Sequence, residues 1–321
     1  MMLEMSKEKA GSVGASWPPR YDAHNNRVKG FCAAALDSRM DARRMFGLVK
    51  AVERTHPQAT RTTVRAFLRA GLAEGLMGAE EPYRVEARVD ARNAMPGYEL
   101  VYFGRNIGAR MPGPELELEM QSVRGMLELE RTDILSASAR IALSGYSLSR
   151  LNGDAQAEVG RLLELYREAY QEYTFELTPQ TVSGVLNNGN IVIVGRDREA
   201  QVVSSLIAEH CELRLEHGRT VHLYELSDYA TFRAHRGNGL ITLMQMQAID
   251  TIRSLSHGDG AIIYAEDRAA WMAVNKSSQR AGMTYCGTLP QHCVLVSDRD
   301  FGEMGRFENL NVWAHLPSGG Q

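Results

Sequence analysis

"YELSDYATFRAHRGNGLITLMQMQAID" (residues 224–250) begins with alternating apolar and polar residues, bends through Arg236-Gly237-Asn238-Gly239 and continues as an amphipathic helix. A bend of this kind at a helix start lines up backbone N–H groups, whose partial positive charge favours an anion, phosphate above all. Gly237 and Gly239 keep side chains out of the way, and Arg236 can add a charge-assisted bond. The same tetrapeptide also reads as a plain strand-to-helix joint whose glycines serve turn geometry. Two common phosphate loops are excluded. A P-loop needs Gly-Lys-Ser/Thr at the helix start, where this chain has Gly239-Leu240-Ile241. A dinucleotide fingerprint needs a third glycine at position 242, which is threonine, and a strand that opens a parallel sheet. A pyrophosphate carried by another ligand, at the end of a mostly antiparallel sheet, is what remains.

Around this stretch the second half of the chain reads in order. Residues 154–170 and 178–189 are helical, with Asp154 a candidate N-cap, and 190–196, 201–213 and 220–232 are strands. Then come a helix over 238–255, a buried strand over 260–267, a helix over 269–282 stopped by Gly282, and two closing strands, "MTYCGTL" and "ENLNVWAHL". In the first half, 26–35 reads as a strand, Asp37 or Ser38 caps a helix running to about Thr55, "TRTTVRAFLRAG" (60–71) reads as a second helix, and "YRVEARV" and "YELVYFG" as strands. A shift of 211 positions lays "RAGL" (69–72) on "RAGM" (280–283) and Val101-Tyr102 on Val312-Trp313, which suggests an internal half-repeat. The expected division is a disordered tail over 1–22, an N-terminal α/β domain over 23–110, a helical connector over 111–145 and the main domain over 146–317.

The 321 residues are 44% hydrophobic and 23% charged, a soluble globular composition with room for two domains. A net charge of -3 gives no general reason to expect nucleic acid or an acidic membrane. Cys32, Cys211, Cys286 and Cys293 form no CxxC pair, which fits free thiols and a cytoplasmic setting. No apolar run approaches 18 residues, and the first 20 residues lack the core of a signal peptide. No metal site is expected: the nine histidines make no HExxH, and the densest group, His210-Cys211 with His217 and His222, lacks ligand spacing.

The element order together with Arg236-x-x-Gly239-x-Ile241 resembles the GNAT acetyltransferase superfamily, whose signature is Arg/Gln-x-x-Gly-x-Gly/Ala; Ile241 departs from it. "YELSDYATFRAHRGNGL", "NKSSQRAGMTYCGTL" and "FENLNVW" are similar to segments of the β-lysine N-acetyltransferases, over about residues 150–315. "AEDRAAWMAVN" and "LPQHCVLVSDRD" depart from that subgroup. The resemblance implies an α/β (α+β) fold with a mixed, mostly antiparallel sheet flanked by helices, and a smaller N-terminal domain like a degenerate half of it. It implies acetyl-coenzyme A as co-substrate, its pyrophosphate held by Arg236, Gly237, Asn238, Gly239 and Leu240. Its pantetheine would pair with the backbone of Tyr229, Ala230 and Thr231 on a central strand that splays from its neighbour, the Tyr229 amide polarising the thioester carbonyl. Asn275 matches an asparagine of the second cofactor helix. Glu225, eleven residues before Arg236, takes the place of a general base, and Asp228 is a second carboxylate that holds the amine or caps a bulge. At the place of a tyrosine that protonates the leaving thiolate stands Ser278.

The function expected is therefore acyl transfer to the primary amine of a small cationic metabolite. Two alternatives stand beside it: transfer to a protein or peptide amine, and a catalytically silent coenzyme A-binding module. A homodimer is expected, with neither nucleic acid nor membrane as partner. The first domain, whose helix start "LDSRMDARR" has no glycine bend, is assigned to substrate enclosure or dimer contacts and is not expected to bind the cofactor.

Overall fold

The computed structural model describes residues 17–76, 82–108, 110–128, 145–151, 155–170, 176–214, 220–256, 260–294 and 307–316. Twelve strands form one mixed sheet. In chain order, the first half contributes β1 (Trp17–Asp22), β2 (Arg27–Leu36), α1 (Arg39–Thr55), β3 (Arg61–Arg69), α2 (Leu72–Leu76), β4 (Arg84–Asp90) and β5 (Tyr98–Asn106). The helix α3 (Pro114–Glu128) follows. The second half holds β6 (Ser147–Arg150), α4 (Val159–Ala169), α5 (Pro179–Asn187), β7 (Ile191–Arg196), β8 (Val202–Arg214) and β9 (Thr220–Thr231). It ends with α6 (Leu240–Leu255), β10 (Ala261–Arg268), α7 (Met272–Arg280), β11 (Thr284–Val294) and β12 (Phe307–His315).

The sheet order is β1-β2-β3-β5-β4-β11-β12-β10-β9-β8-β7-β6. Among the described strands only β2–β3 and β9–β10 run parallel; the other neighbours are antiparallel. Read outward from the centre, β4-β5-β3-β2-β1 repeats β11-β12-β10-β9-β8, with the parallel pair at the same place. The halves meet at Ala87 opposite Gly287. Gly287 is required there: its φ is 146°, and a Cβ would fall 2.2 Å from the Glu86 carbonyl oxygen. Phe31, Phe67 and Leu100 share one core with Leu223, Leu310 and Val312. At about 1.5–3 kcal/mol for each buried side chain of this size, the contact is a folding core rather than a loose domain boundary.

Three expectations are corrected. Residues 60–71 are not a helix, because Thr62, Thr63 and Val64 are β-branched and the segment is buried on both faces, as suits an interior strand. The repeat is not in the expected register: Arg69 ends a strand while Arg280 ends a helix. Cross-strand partners instead match Tyr102, opposite Ala87, with Val312, opposite Gly287. Residues 17–22, placed in a disordered tail, pair with β2 as β1, and β6 was not foreseen. The Asp154 cap and residues 1–16 lie outside the described residues.

Candidate functional site

β9 and β10 are paired only from His222–Glu225 to Ala261–Tyr264. Past Glu225 and Tyr264 they part: β9 stays with β8 to Thr231, and β10 stays with β12 to Arg268. The wedge between them exposes one backbone edge of residues 226–231. A bulge shapes that edge. Pairing with β8 jumps from Ile207–Ser227 to Ser205–Ala230, so Asp228 and Tyr229 face one residue, Leu206. Asp228 takes φ 51°, a left-handed conformation that aspartate tolerates better than most residues. Its carboxylate raises the hydroxyl pKa of Tyr166 and Tyr170, already raised by burial. The Tyr170 hydroxyl donates to the Tyr229 carbonyl at 2.8 Å.

At the open end of the wedge, the turn Arg233–His235 leads into the glycine bend. Gly237 (φ 80°) and Gly239 (φ 79°) are both left-handed, and Gly239 caps α6 without a side chain. Among the described residues no acceptor meets the amides of Gly237, Asn238, Gly239 or Leu240. Asn238 braces the bend by donating to the His235 carbonyl at 3.0 Å, and His235 Nδ1 lies 2.9 Å from the Tyr146 hydroxyl. Arg236 is exposed at the mouth, its Nε donating to the Thr231 carbonyl at 3.1 Å. That carbonyl and those of Tyr229 and Ala230, which accept from Tyr170 and from Ser204 Oγ, already have partners in the protein. The expected backbone contacts of Tyr229, Ala230 and Thr231 thus narrow to their amides and second lone pairs.

Glu225 sits at the apex where the strands part. It is 5% exposed and accepts from the Tyr264 hydroxyl at 2.9 Å through Oε2. Glu209 of β8 stands directly across from it, and Glu266 of β10 is close on the same face. Burial and these two carboxylates push the Glu225 pKa up to about 8, against the pull of Arg65 and the Tyr264 bond. A narrow pocket of about 10 Å³, with room for about one water, lies over this group, lined by Phe31, Arg65, Leu100, Glu209, Cys211, Leu223, Glu225 and Tyr264.

Two expected residues are placed differently. Asn275 is fully buried and spends every bond it has inside the protein: Nδ2 donates to the Arg268 and Trp271 carbonyls, and Oδ1 accepts from Asn311 and Trp313. It fixes α7 on β10 and β12 and has no group left for a cofactor. Ser278 is buried too, donating to Asp267 Oδ2 at 2.6 Å and accepting from Gln245. Asp267, pushed up to about 7 by burial, completes that small polar knot. Glu209, Tyr264, Tyr166, Tyr170 and Arg65 were not singled out from the sequence. Of these, Glu209 had a signal, since the register of a hairpin between 201–213 and 220–232 brings it opposite Glu225. On the other face of β8 and β9, His210, Glu212 and His222 gather, their ligand atoms within 4.8 Å, with His210 Nε2 3.0 Å from His222 Nδ1. His217 lies outside the described residues.

Among solved structures, the chain is similar to a ribosomal-protein-alanine N-acetyltransferase from Brucella melitensis at 22% identity and TM-score 0.40, covering 53% of this chain and 99% of that one. It is similar to a GNAT superfamily phosphinothricin acetyltransferase from Sinorhizobium meliloti in complex with acetyl-coenzyme A, at 16% and 0.40, covering 53% and 86%. It is similar as well to a spermidine N-acetyltransferase from Vibrio cholerae, at 14% and 0.37, covering 53% and 93%. None of these three is a β-lysine acetyltransferase. No family model and no curated protein matches the sequence. No described helix is long and apolar enough to cross a membrane.

Proposed function

We propose that the protein transfers an acetyl group from acetyl-coenzyme A to the primary amine of a small cationic metabolite, a β-lysine-like amino acid or a relative of it. The observation that carries the reading is the parting of β9 and β10 with a buried carboxylate at its apex and a glycine bend at its mouth. The amides of Gly237, Asn238, Gly239 and Leu240, which no acceptor among the described residues meets, suit a pyrophosphate together with the Arg236 guanidinium beside them. The edge of residues 226–231 that β10 leaves unpaired suits an extended amide-containing arm, whose acyl end the Tyr229 amide would polarise. Acetyl-coenzyme A supplies the activated acyl carbon.

The chain's own part is to hold the amine and manage its proton. Glu209, Glu225 and Glu266 make the pocket attractive to an ammonium ion, and Glu225, with its raised affinity for protons, takes one from the attacking nitrogen. The ammonium first gives one proton to solvent; the neutral nitrogen then bonds to the acetyl carbon, the carbon–sulfur bond breaks with its electrons going to sulfur, and the second amine proton goes to Glu225 in its ionised form. Ser278 is turned into the core toward Asp267, so the thiolate takes its proton from water. We propose further that residues 146–317 carry this chemistry, that 23–110 enclose the acceptor, and that 111–145 connect them.

The test is release of free thiol from acetyl-coenzyme A with a panel of lysine, β-lysine, diamines and short peptides. Turnover with a small amine is expected. Tight acetyl-coenzyme A binding without turnover on any amine overturns the reading in favour of a silent binding module, and turnover on peptides alone overturns the substrate class.

A further inference from the structure

Resting on that reading of Glu225, we infer that the N-terminal half is part of the catalytic apparatus: Arg65 is a positioning residue that holds the base through Tyr264. The sheet curls so that β2, β3 and β5 of the first half face β8, β9 and β10 of the second across the pocket. Arg65 Nη1 donates to the Tyr264 hydroxyl at 3.0 Å, and that hydroxyl in turn donates to Glu225 Oε2 at 2.9 Å. The hydroxyl has one proton. By occupying its acceptor lone pair, the guanidinium orients that proton toward Glu225 and away from any other partner.

The same Arg65 lies 3.4 Å from Glu266 and within 6 Å of the ring centroids of Phe31, Tyr102 and Tyr264, so packing fixes it from every side. It is the cation among the pocket-lining residues, set against Glu209 and Glu225. A lysine would not reproduce the arrangement, because a fork reaching Tyr264 and Glu266 while lying over rings needs a planar guanidinium. Around Glu225 the charged and titratable groups are Arg65 on β3, Tyr102 on β5, Glu209 and Cys211 on β8, Tyr229 on β9, and Tyr264 and Glu266 on β10. His292 on β11 stands behind Glu266 at 3.9 Å. With Arg65 removed, this set is left overwhelmingly acidic around a buried carboxylate, and the proton becomes harder to remove.

The experiment compares wild type, Arg65→Met, Arg65→Lys and Tyr264→Phe in two readouts. The first is a pH titration of the protein labelled with [5-13C]glutamate, with Glu225→Gln used to identify the Glu225 resonance. The second is the pH dependence of kcat/KM with the best amine of the panel. Arg65→Met and Tyr264→Phe are each expected to move the Glu225 midpoint upward by about one unit, a tenfold change in proton affinity, and to move the acid limb of kcat/KM with it. Arg65→Lys is expected to restore only part of the shift, and acetyl-coenzyme A affinity to stay unchanged throughout. An unchanged Glu225 midpoint in both Arg65→Met and Tyr264→Phe overturns the inference, whether or not the enzyme turns over. A shifted midpoint with no wild-type turnover supports the Arg65 coupling but overturns the function on which its catalytic meaning rests. Tyr264→Phe keeps the ring and its packing, so it decides the matter if Arg65→Met does not fold.

Discussion

The two halves of this molecule run through the same strand order, yet only one of them opens. In the first, β2 and β3 stay paired from Arg27–Arg61 to Leu36–Leu68, with an irregularity at Cys32–Ala35 absorbed on the way. In the second, the corresponding pair β9 and β10 stops at Glu225–Tyr264. The helices that follow differ in the same sense. The N-cap of α1 is Ser38, whose hydroxyl accepts from the Asp41 amide, and Asp41 adds a negative charge to the first turn. The N-cap of α6 is glycine, with no acid in its first turn. One helix start is satisfied from within; the other leaves its amides to be satisfied by something else. The open half thus differs from the closed one by omission: strand pairs not formed and a side-chain cap not supplied.

The sharpest way to break the comparison is at the apex of the open half. Glu225→Gln is expected to lower kcat by about 100-fold to 10,000-fold while leaving acetyl-coenzyme A binding intact by calorimetry; a loss of less than tenfold removes Glu225 from the role of base. The same residue makes a stability prediction. Its folded pKa, about 8, lies above the usual carboxylate value of 4.5, so between those values the folded state binds more protons than the unfolded one. Wild-type stability should accordingly fall as pH rises from 5 to 9. Glu225→Gln should escape that fall and be the more stable protein at pH 9 by about 2 kcal/mol or more, with the difference shrinking toward pH 5. Denaturant midpoints at the two pH values check this, and a difference that grows on acidification contradicts the buried-carboxylate account.

Smaller effects separate the two helix starts. Arg236→Ala is expected to weaken acetyl-coenzyme A binding about tenfold, the worth of one charge-assisted bond. An unchanged affinity means that the bend is not where the phosphates lie. Ser38→Ala is expected to cost about 1 kcal/mol of stability and to leave acetyl-coenzyme A affinity where it was. If this change in the closed half altered binding, the division of labour between the halves would be mistaken.

Much of the open half was legible because its signals are local. The strand-to-helix passage through Arg236 and Gly239 lies within thirty residues, and positive φ at Gly237 and Gly239 is what glycine predicts. For Asp228 the sequence offers two roles, holding the amine or capping a bulge, and the residue lies in a bulge. The rest needed information that no window contains. β3 was misread as a helix because its apolar residues face two cores at once, and burial on both faces erases the two-residue period that marks a strand. With β3 misread, Arg65 could not be placed across from Glu225, 160 positions away. Asn275 was read through a resemblance, whereas its role follows from partners on β10 and β12. The repeat was sensed through Arg-Ala-Gly, which recurs by coincidence; what recurs in the fold is the order of pairing.

The seam between Ala87 and Gly287 has a kinetic side. Each half can zip most of its hairpins from neighbours in the chain, but the seam joins residues two hundred positions apart and has to wait for both. Until then β4 and β11 present unpaired borders, and another copy of the chain offers each of them the same mate. The continuous chain keeps the native mate nearby, so dilute refolding favours closure within one chain and crowded refolding favours exchange between two.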